Sequence, residues 1–389
     1  MKELKRCIKC TLPETYETIE FDKDGLCNMC SGHEFKKESI DWQVRKKNLD
    51  ELIEKYRGKY DYDCIVPFSG GKDSTYTLLY LIKEYNIKPL VVQFDHGFMR
   101  PTLTKNNERT FKELGVDVVK FTPNWKVVKK LMLEALKRKG DFCWHCHTGI
   151  FSFPMHMALK FETPLIFWGE PSSEYTAYYD YKDDEVEMVD EKRFNRFVNL
   201  GITAEDMYGM INTKEDPVDH RDLKFYKYPN FKDLKKLKYH SVCLGSYIPW
   251  DVRKNVELIK KELSWEGAPV EGIPFDEYPY EKIECFMQGV RDYIKYVKRG
   301  YSRVTQMTTL DIRNDRISRE NAMKLIVKYE GKKPNALKNF LEYVGLTEDE
   351  FNDIVSATAV PPYKHDFKEH SEYCNPIPDM NSCYSKFNT

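Results

Sequence analysis

Between an apolar run, Cys64-Ile65-Val66-Pro67-Phe68, and a stretch with helical periodicity over residues 74–86 lie six residues, Ser69-Gly70-Gly71-Lys72-Asp73-Ser74. Adjacent glycines allow a tight turn and let backbone N–H groups approach an anion. The helix that follows adds the partial positive charge of its N-terminus. Ser69 and Ser74 supply hydroxyl donors and Lys72 a cation. Asp73 would repel a phosphate, so its expected task is to hold a metal ion or to brace the loop. The run is not the GxxxxGK[ST] phosphate loop. That pattern needs glycine where Val66 stands and Ser or Thr where Asp73 stands. A loop of this kind must be delivered by a strand and backed by a helix, which restricts the chain to an α/β architecture.

The flanking sequence has that rhythm. Further buried strands are expected at Pro89 to Phe94, Val116 to Phe121, Pro164 to Trp168 and Tyr239 to Leu244. Helical patterns fill 103–114, 124–138, 147–161 and 251–262. Continuous apolar strands alternating with helices predict a doubly wound parallel sheet. Ligands of such sheets bind beyond the C-terminal strand ends. Asp95 and Glu170 follow the second and fourth strands there, either as contacts to a nucleotide or metal or as ordinary polar strand ends.

Residues 1–35 contain Cys7-x-x-Cys10 and Cys27-x-x-Cys30, with 16 residues between the pairs. Two such knuckles deliver four thiolates tetrahedrally, as in a structural zinc ribbon. The metal would supply folding energy that so short a segment lacks in core. Residues 36–60 read as one amphipathic helix, and 36–265 as the α/β domain. A Tyr- and acid-rich insertion at 171–236 is expected over the sheet's active edge. Residues 266–389 form a third region, helical over 281–360, with an irregular tail holding Cys374 and Cys383.

The net charge of −1 argues against a dedicated nucleic-acid binder. No run approaches the roughly 20 apolar residues of a membrane span. The first residues, Met1 to Cys7, lack the apolar segment of a secretory signal. Eleven cysteines without such a signal suggest reduced thiols in the cytoplasm.

SGGKDS after an apolar strand resembles the PP-loop of the N-type ATP pyrophosphatases, HUP-like enzymes that include GMP, NAD and asparagine synthetases and several tRNA thiolases. The likeness covers roughly residues 60–265. It implies ATP and Mg²⁺, with pyrophosphate held by Ser69, Gly70, Gly71, Asp73 and Ser74, and an adenylated intermediate. Lys72, Asp73 and Ser74 are the residues it places at the chemistry.

From Arg291 to Glu320, eight cations face four acids, a local excess of +4 in a near-neutral chain. Arginine suits planar, bidentate recognition of phosphate or carboxylate. Arg299, Arg303, Arg313 and Arg319 are the expected substrate contacts. The order of motifs is similar to that of the N-acetyl sugar amidotransferases of O-antigen and nonulosonic-acid pathways: CxxC…CxxC, SGGKDS, Cys143-Trp144-His145-Cys146, Lys298-Arg299-Gly300-Tyr301-Ser302-Arg303 and Ile317-Ser318-Arg319-Glu320.

That resemblance implies conversion of a sugar acetamido group to acetamidino through an O-adenylyl imidate attacked by ammonia. The sugar would be free, CMP-linked or UDP-linked. No glutaminase motif is evident, because Val242-Cys243-Leu244-Gly245 lacks the preceding glycine of a nucleophile elbow. A separate glutaminase with a barrel partner is therefore implied as the ammonia source. The other reading is a tRNA thiolase using Cys143 and Cys146. That pair is open to three roles: a metal or Fe–S site with Cys243 or Cys285, a redox couple, or a tight helix-entry turn.

Overall fold

The computed structural model describes residues 4–171 and 194–378. Five strands form one parallel sheet: β1 (Cys64–Pro67), β2 (Pro89–Phe94), β3 (Asp117–Phe121), β4 (Leu165–Trp168) and β5 (His240–Cys243), in spatial order β3-β2-β1-β4-β5. Alternate side chains of each strand enter opposite cores. Cys64 and Val66 of β1 and Leu165 and Phe167 of β4 face one core, whereas Ile65 and Ile166 face the other. Helices cover both faces. Helix α2 (Trp42–Tyr56), α3 (Lys72–Tyr85) and α9 (Val252–Leu263) line the first core, with α4 (Pro101–Leu114) beside them. Helices α5 (Trp125–Lys139) and α6 (Trp144–Lys160) line the second. The expected doubly wound α/β sheet is therefore present. Strand β3 departs from its expected burial: it begins at Asp117, lies at the sheet edge and leaves Val118 exposed.

The single helix expected over 36–60 is two helices. Helix α1 (Asn28–Ser39) starts directly after Cys27, and α2 starts after a break at Ile40. Asp41 makes the break, because its carboxylate accepts from the Gln43 and Val44 amides at 2.9 and 3.1 Å and caps α2.

Of the insertion, residues 172–193, including Asp183-Asp184-Glu185, lie outside the described residues, as does Cys383. Its described part, with α7 (Ala204–Ile211) and α8 (Phe231–Leu237), packs on α6. Trp144 Nε1 donates to the Asn199 and Ile202 carbonyls, and Ser152 Oγ to that of Lys227. The apolar side chains Met207, Leu223 and Leu234 account for this docking.

The C-terminal region is helical from Gln288 onward: α10 (Gln288–Arg299), α11 (Arg303–Arg313), α12 (Arg319–Tyr329), α13 (Ala336–Val344) and α14 (Glu348–Ser356). Residues 281–287 are turns, not the expected helix. Helices α10, α13 and α14 share a third core with α5. Among the described residues, no helix is long and apolar enough to cross a membrane.

Candidate active site

The chain runs from β1 outward through β2 to β3, then returns to β4 and β5 on the other side. The strand order thus reverses between β1 and β4, and a crevice opens beyond their C-terminal ends. The Ser69–Ser74 loop leaves β1 there, and Gly169-Glu170 leaves β4.

The loop is closed by its own hydroxyls. The Gly70 amide donates to Ser74 Oγ at 3.1 Å, the Gly71 amide donates to Ser69 Oγ at 3.2 Å, and Ser74 Oγ lies 3.3 Å from Ser69 Oγ. An arriving phosphate would exchange for these contacts. Gly70 has φ +87°, which favours glycine, and its carbonyl accepts from Trp265 Nε1 at 3.3 Å. A Cβ on Gly70 would collide with the Asn107 amide, and one on Gly71 with the Glu284 carboxylate. Glycine is needed here for close approach as well as for the turn. Asn107 Oδ1 and Nδ2, Asp73 Oδ1 and Glu284 Oε2 are buried without a hydrogen-bond partner. Such groups are costly unless something else engages them. A bound Mg²⁺–nucleotide fits the requirement, since it would offer both acceptors and positive charge. Asp73 and Glu170, which lie close enough for the Asp73 charge to act on Glu170, would be the residues to hold such an ion.

Lys72 is buried and turns toward acids: Asp73 Oδ2 at 2.8 Å and Glu281 Oε2 at 3.0 Å. Glu281 is 2% exposed. Burial works against its charge, but Lys72, Lys282 and Arg303 hold the carboxyl down to about 2. Glu170 is the opposite case. Burial, reinforced by the Asp73 charge, pushes it from 4.5 up to about 7 against the pull of Lys282 and Lys72. Between those values the ligand-free folded chain binds more protons than the unfolded chain, so this group makes stability fall as pH rises. Glu170→Gln should flatten that slope. In thermal melts, its gain over wild type should grow by on the order of 2–3 kcal/mol between about pH 4.5 and pH 7. An unchanged slope would remove Glu170 from the buried carboxylate pair. Asp95 stands at the β2 rim but is held by Lys120 at 2.8 Å and by the Gly97 amide at 2.9 Å.

The four expected substrate arginines separate into two pairs. Arg299 and Arg303 line a cavity of about 360 Å³ with Arg291, Lys295, Lys298 and Lys139. Arg303 lies 3.7 Å from Glu281 and 3.5 Å from Asp292, and its buried Nε has no hydrogen-bond partner. Glu281 therefore stands between Lys72 of the loop and Arg303 of the cavity, linking the two places through one buried carboxylate. Arg313 and Arg319 are elsewhere. Arg313 is buried beside Cys10, Cys27 and Cys30, and Arg319 Nε donates to the Cys10 carbonyl at 3.1 Å. Both serve the cysteine module, because the negative charge gathered by four thiolates needs a nearby cation.

In that module Cys7, Cys10, Cys27 and Cys30 are fully buried, with all Sγ atoms within 4.8 Å of one another. The pairs Cys7–Cys30 and Cys10–Cys27 are 4.0 and 3.7 Å apart. A tetrahedron with metal–sulfur bonds of about 2.3 Å has edges near 3.8 Å, so these thiols fit a structural metal. The positive φ of Gly25 shapes the turn whose carbonyl accepts from the Ile8 amide at 3.2 Å.

Cys143 and Cys146 open α6, and Cys285 joins them; each thiol lies within electrostatic reach of the others and of Arg291. Burial pushes all three thiols above their ordinary value. Cys285 is pinned by an antiparallel bridge to Met99 and by the Phe286 amide donating to Phe98 O at 3.0 Å. Cys243 instead ends β5 and is buried there. Among the described residues, the four N-terminal cysteines are the only group of three or more Cys, His, Asp or Glu side chains that converges closely enough to ligate one ion.

Asn107, Glu281, Glu284 and Asp292 were not foreseen. Asn107 is a helical asparagine buried in α4, Glu281 and Glu284 lie more than 200 residues beyond the loop they approach, and Asp292 faces Arg303.

Residues 275–376 match the family model described as "LPS biosynthesis protein WbpG-like, C-terminal domain". An uncharacterized protein of Methanocaldococcus jannaschii, MJ1599, is 27% identical over 146 residues, which cover 36% of this chain and 50% of that protein. The chain thus spans half the length of the curated relative it matches. A solved tRNA thiolase, NcsA from Methanococcus maripaludis with its 4Fe–4S cluster, aligns over 98% of this chain and 96% of its own, at 14% identity and a TM-score of 0.30. Residues 275–376 are thus similar to a WbpG-like C-terminal domain of the lipopolysaccharide-biosynthesis type, and they sit on an α/β domain whose Ser69–Ser74 loop follows β1.

Proposed function

We propose that the chain is an ATP-dependent amidotransferase that converts the acetamido group of an N-acetyl sugar to acetamidino, releasing AMP and pyrophosphate. The observation that carries the reading is Glu281. A residue of the WbpG-like region reaches the PP-loop lysine on one side and Arg303 of the cationic cavity on the other. ATP and a second, anionic substrate would therefore meet across one carboxylate.

The acetamido oxygen attacks the α-phosphorus of ATP, and the bond to pyrophosphate breaks. Ammonia then adds to the imidate carbon, AMP departs with the former carbonyl oxygen, and loss of a proton leaves the amidine. The loop amides, Ser69, Ser74 and Lys72 would receive the charge of the departing pyrophosphate. Mg²⁺ held by Asp73 and Glu170 would neutralise part of the same charge. Zinc is the metal proposed for the Cys₄ module. Ammonia would come from a separate glutaminase with its barrel partner.

The test is AMP and pyrophosphate release with ammonium and a panel of free, CMP-linked and UDP-linked N-acetyl sugars. AMP formation that depends on both sugar and ammonia is expected. Sugar-independent turnover would reject the reading. Arg303→Lys keeps the charge but loses the planar fork. It should weaken the second substrate by on the order of 1–3 kcal/mol, seen mainly as a raised KM in steady-state kinetics. Unchanged sugar kinetics would remove Arg303 from the site.

The arrival of Cys285 beside Cys143 and Cys146 favours one other reading, a tRNA thiolase. Tight, salt-sensitive tRNA binding, lost on Arg303→Lys, would select it.

A further inference from the structure

Arg291, Lys295, Lys298 and Arg299 recur along α10 at helical spacing, so four cations share one face. Like charges at such spacing repel, and burial raises the cost. The cavity they line adds Lys139 and Arg303, against the acids Glu17, Asp141 and Asp292. Each acid already has a partner among the cations. Glu17 lies 3.2 Å from Arg299 and 3.9 Å from Lys295, Asp141 lies 3.4 Å from Arg291, and Asp292 lies 3.5 Å from Arg303. Among the lining residues six cations less three acids leaves a surplus of three positive charges, and Glu281 behind Arg303, which it shares with Lys72, offsets at most one of them. Lys298 spends its donors on the Lys139 and Gly140 carbonyls at 2.8 and 3.2 Å, which positions its charge without cancelling it.

The fold bears this surplus visibly. Burial pushes the Lys295 ammonium down to about 8; Arg303 and Arg291 act in the same direction, and Glu17 only partly opposes them. Arg303 Nε and Asp292 Oδ2 are buried with no hydrogen-bond partner. One carboxylate from a ligand would leave at least one charge uncompensated, whereas a diphosphate brings at least two charges and several acceptor oxygens suited to arginine forks. A cavity of about 360 Å³ has room for such a group.

We propose that this cavity binds the diphosphate of a sugar carried on a nucleoside diphosphate, leaving the sugar directed past Arg303 and Glu281 toward the PP-loop. This rests on the reading that the second substrate is an N-acetyl sugar. It selects a nucleoside-diphosphate-linked substrate over a free or CMP-linked one.

The test is calorimetric binding and thermal melting of the full chain with the PP-loop saturated by a non-hydrolysable ATP analogue. UDP-N-acetylglucosamine should bind and raise the melting temperature. The free sugar should bind at least about tenfold more weakly, since charge-assisted contacts are lost. Lys295→Gln and Lys298→Gln should each lower affinity for the UDP-sugar severalfold. Lys295→Gln removes a buried like charge, so its ligand-free melting temperature should not fall.

Any of four results would overturn the proposal. One is equal binding of free and UDP-linked sugar. Another is pyrophosphate alone binding as tightly as the UDP-sugar, which would make the cavity a site for the leaving group. The third is tRNA binding that is lost with Lys295→Gln. AMP formed only from free sugars would sink this inference and spare the amidotransferase reading. UDP-sugar binding that never leads to AMP would do the reverse.

Discussion

Asp73→Ala and Ser74→Ala should each reduce ATP-to-AMP turnover by at least about 100- to 1000-fold, the scale seen when one preorganised donor to a developing charge is removed. Ser74 Oγ accepts from the Gly70 amide at 3.1 Å and donates to the Gly71 carbonyl at 3.3 Å, so it holds the loop in shape. Asp73 pairs one oxygen with Lys72 and leaves the other buried without a partner beside Glu170. Neither side chain belongs to an apolar core. The variants should therefore melt near the wild-type temperature while losing pyrophosphate release, measured with a coupled assay. Near-normal AMP production by either variant would reject the loop as the place where ATP is cleaved.

Loss of metal from the Cys₄ module should be nearly as damaging, by a different route. Structural zinc in small cysteine modules is worth about 10–16 kcal/mol of apparent binding energy. The module's core adds little to the four cysteines beyond Leu12, Tyr16 and Met29. It also holds up one wall of the cationic cavity. Arg299 donates to the Thr15 carbonyl at 2.6 Å, Thr15 Oγ1 donates to the Arg299 carbonyl at 2.5 Å, and Tyr301 bonds to Glu17. Thr11 and Thr309 hydroxyls meet at 2.9 Å. Cys7→Ser should thus abolish the expected one zinc per chain, expose the N-terminal segment to proteolysis and raise KM for the second substrate more than for ATP. Elemental analysis and limited proteolysis read the first two effects. A variant that keeps its zinc, or a wild type that binds none, would contradict the assignment.

What could be read in advance was whatever the chain encodes locally. Strand faces follow a period of two, so Ile65 and Val66 signal burial on both sides before any partner is known. The glycines of the loop and the spacing of the two CxxC knuckles are likewise local signals, and each landed where expected. Long-range placement was not legible. Arg303 and Arg313 are ten residues apart on one helix, yet one meets Glu281 and the other the thiolates. Charge counting cannot tell them apart, because the difference lies in which element packs on each face of α11. Ile40-Asp41 looked like the interior of a helix because apolar periodicity continues across it, and the Asp41 cap prevailed locally. Glu281 carries no sequence signal at all, and its importance comes only from the cations around it.

The account stands or falls on where one oxygen atom goes. If the acetamido oxygen attacks the α-phosphorus, AMP must leave carrying it. A substrate with an isotope-labelled acetamido oxygen, turned over with ATP and ammonia, should give labelled AMP and an unlabelled amidine by mass spectrometry. Label retained in the sugar, with AMP taking its new oxygen from water, would contradict activation of the sugar by adenylation.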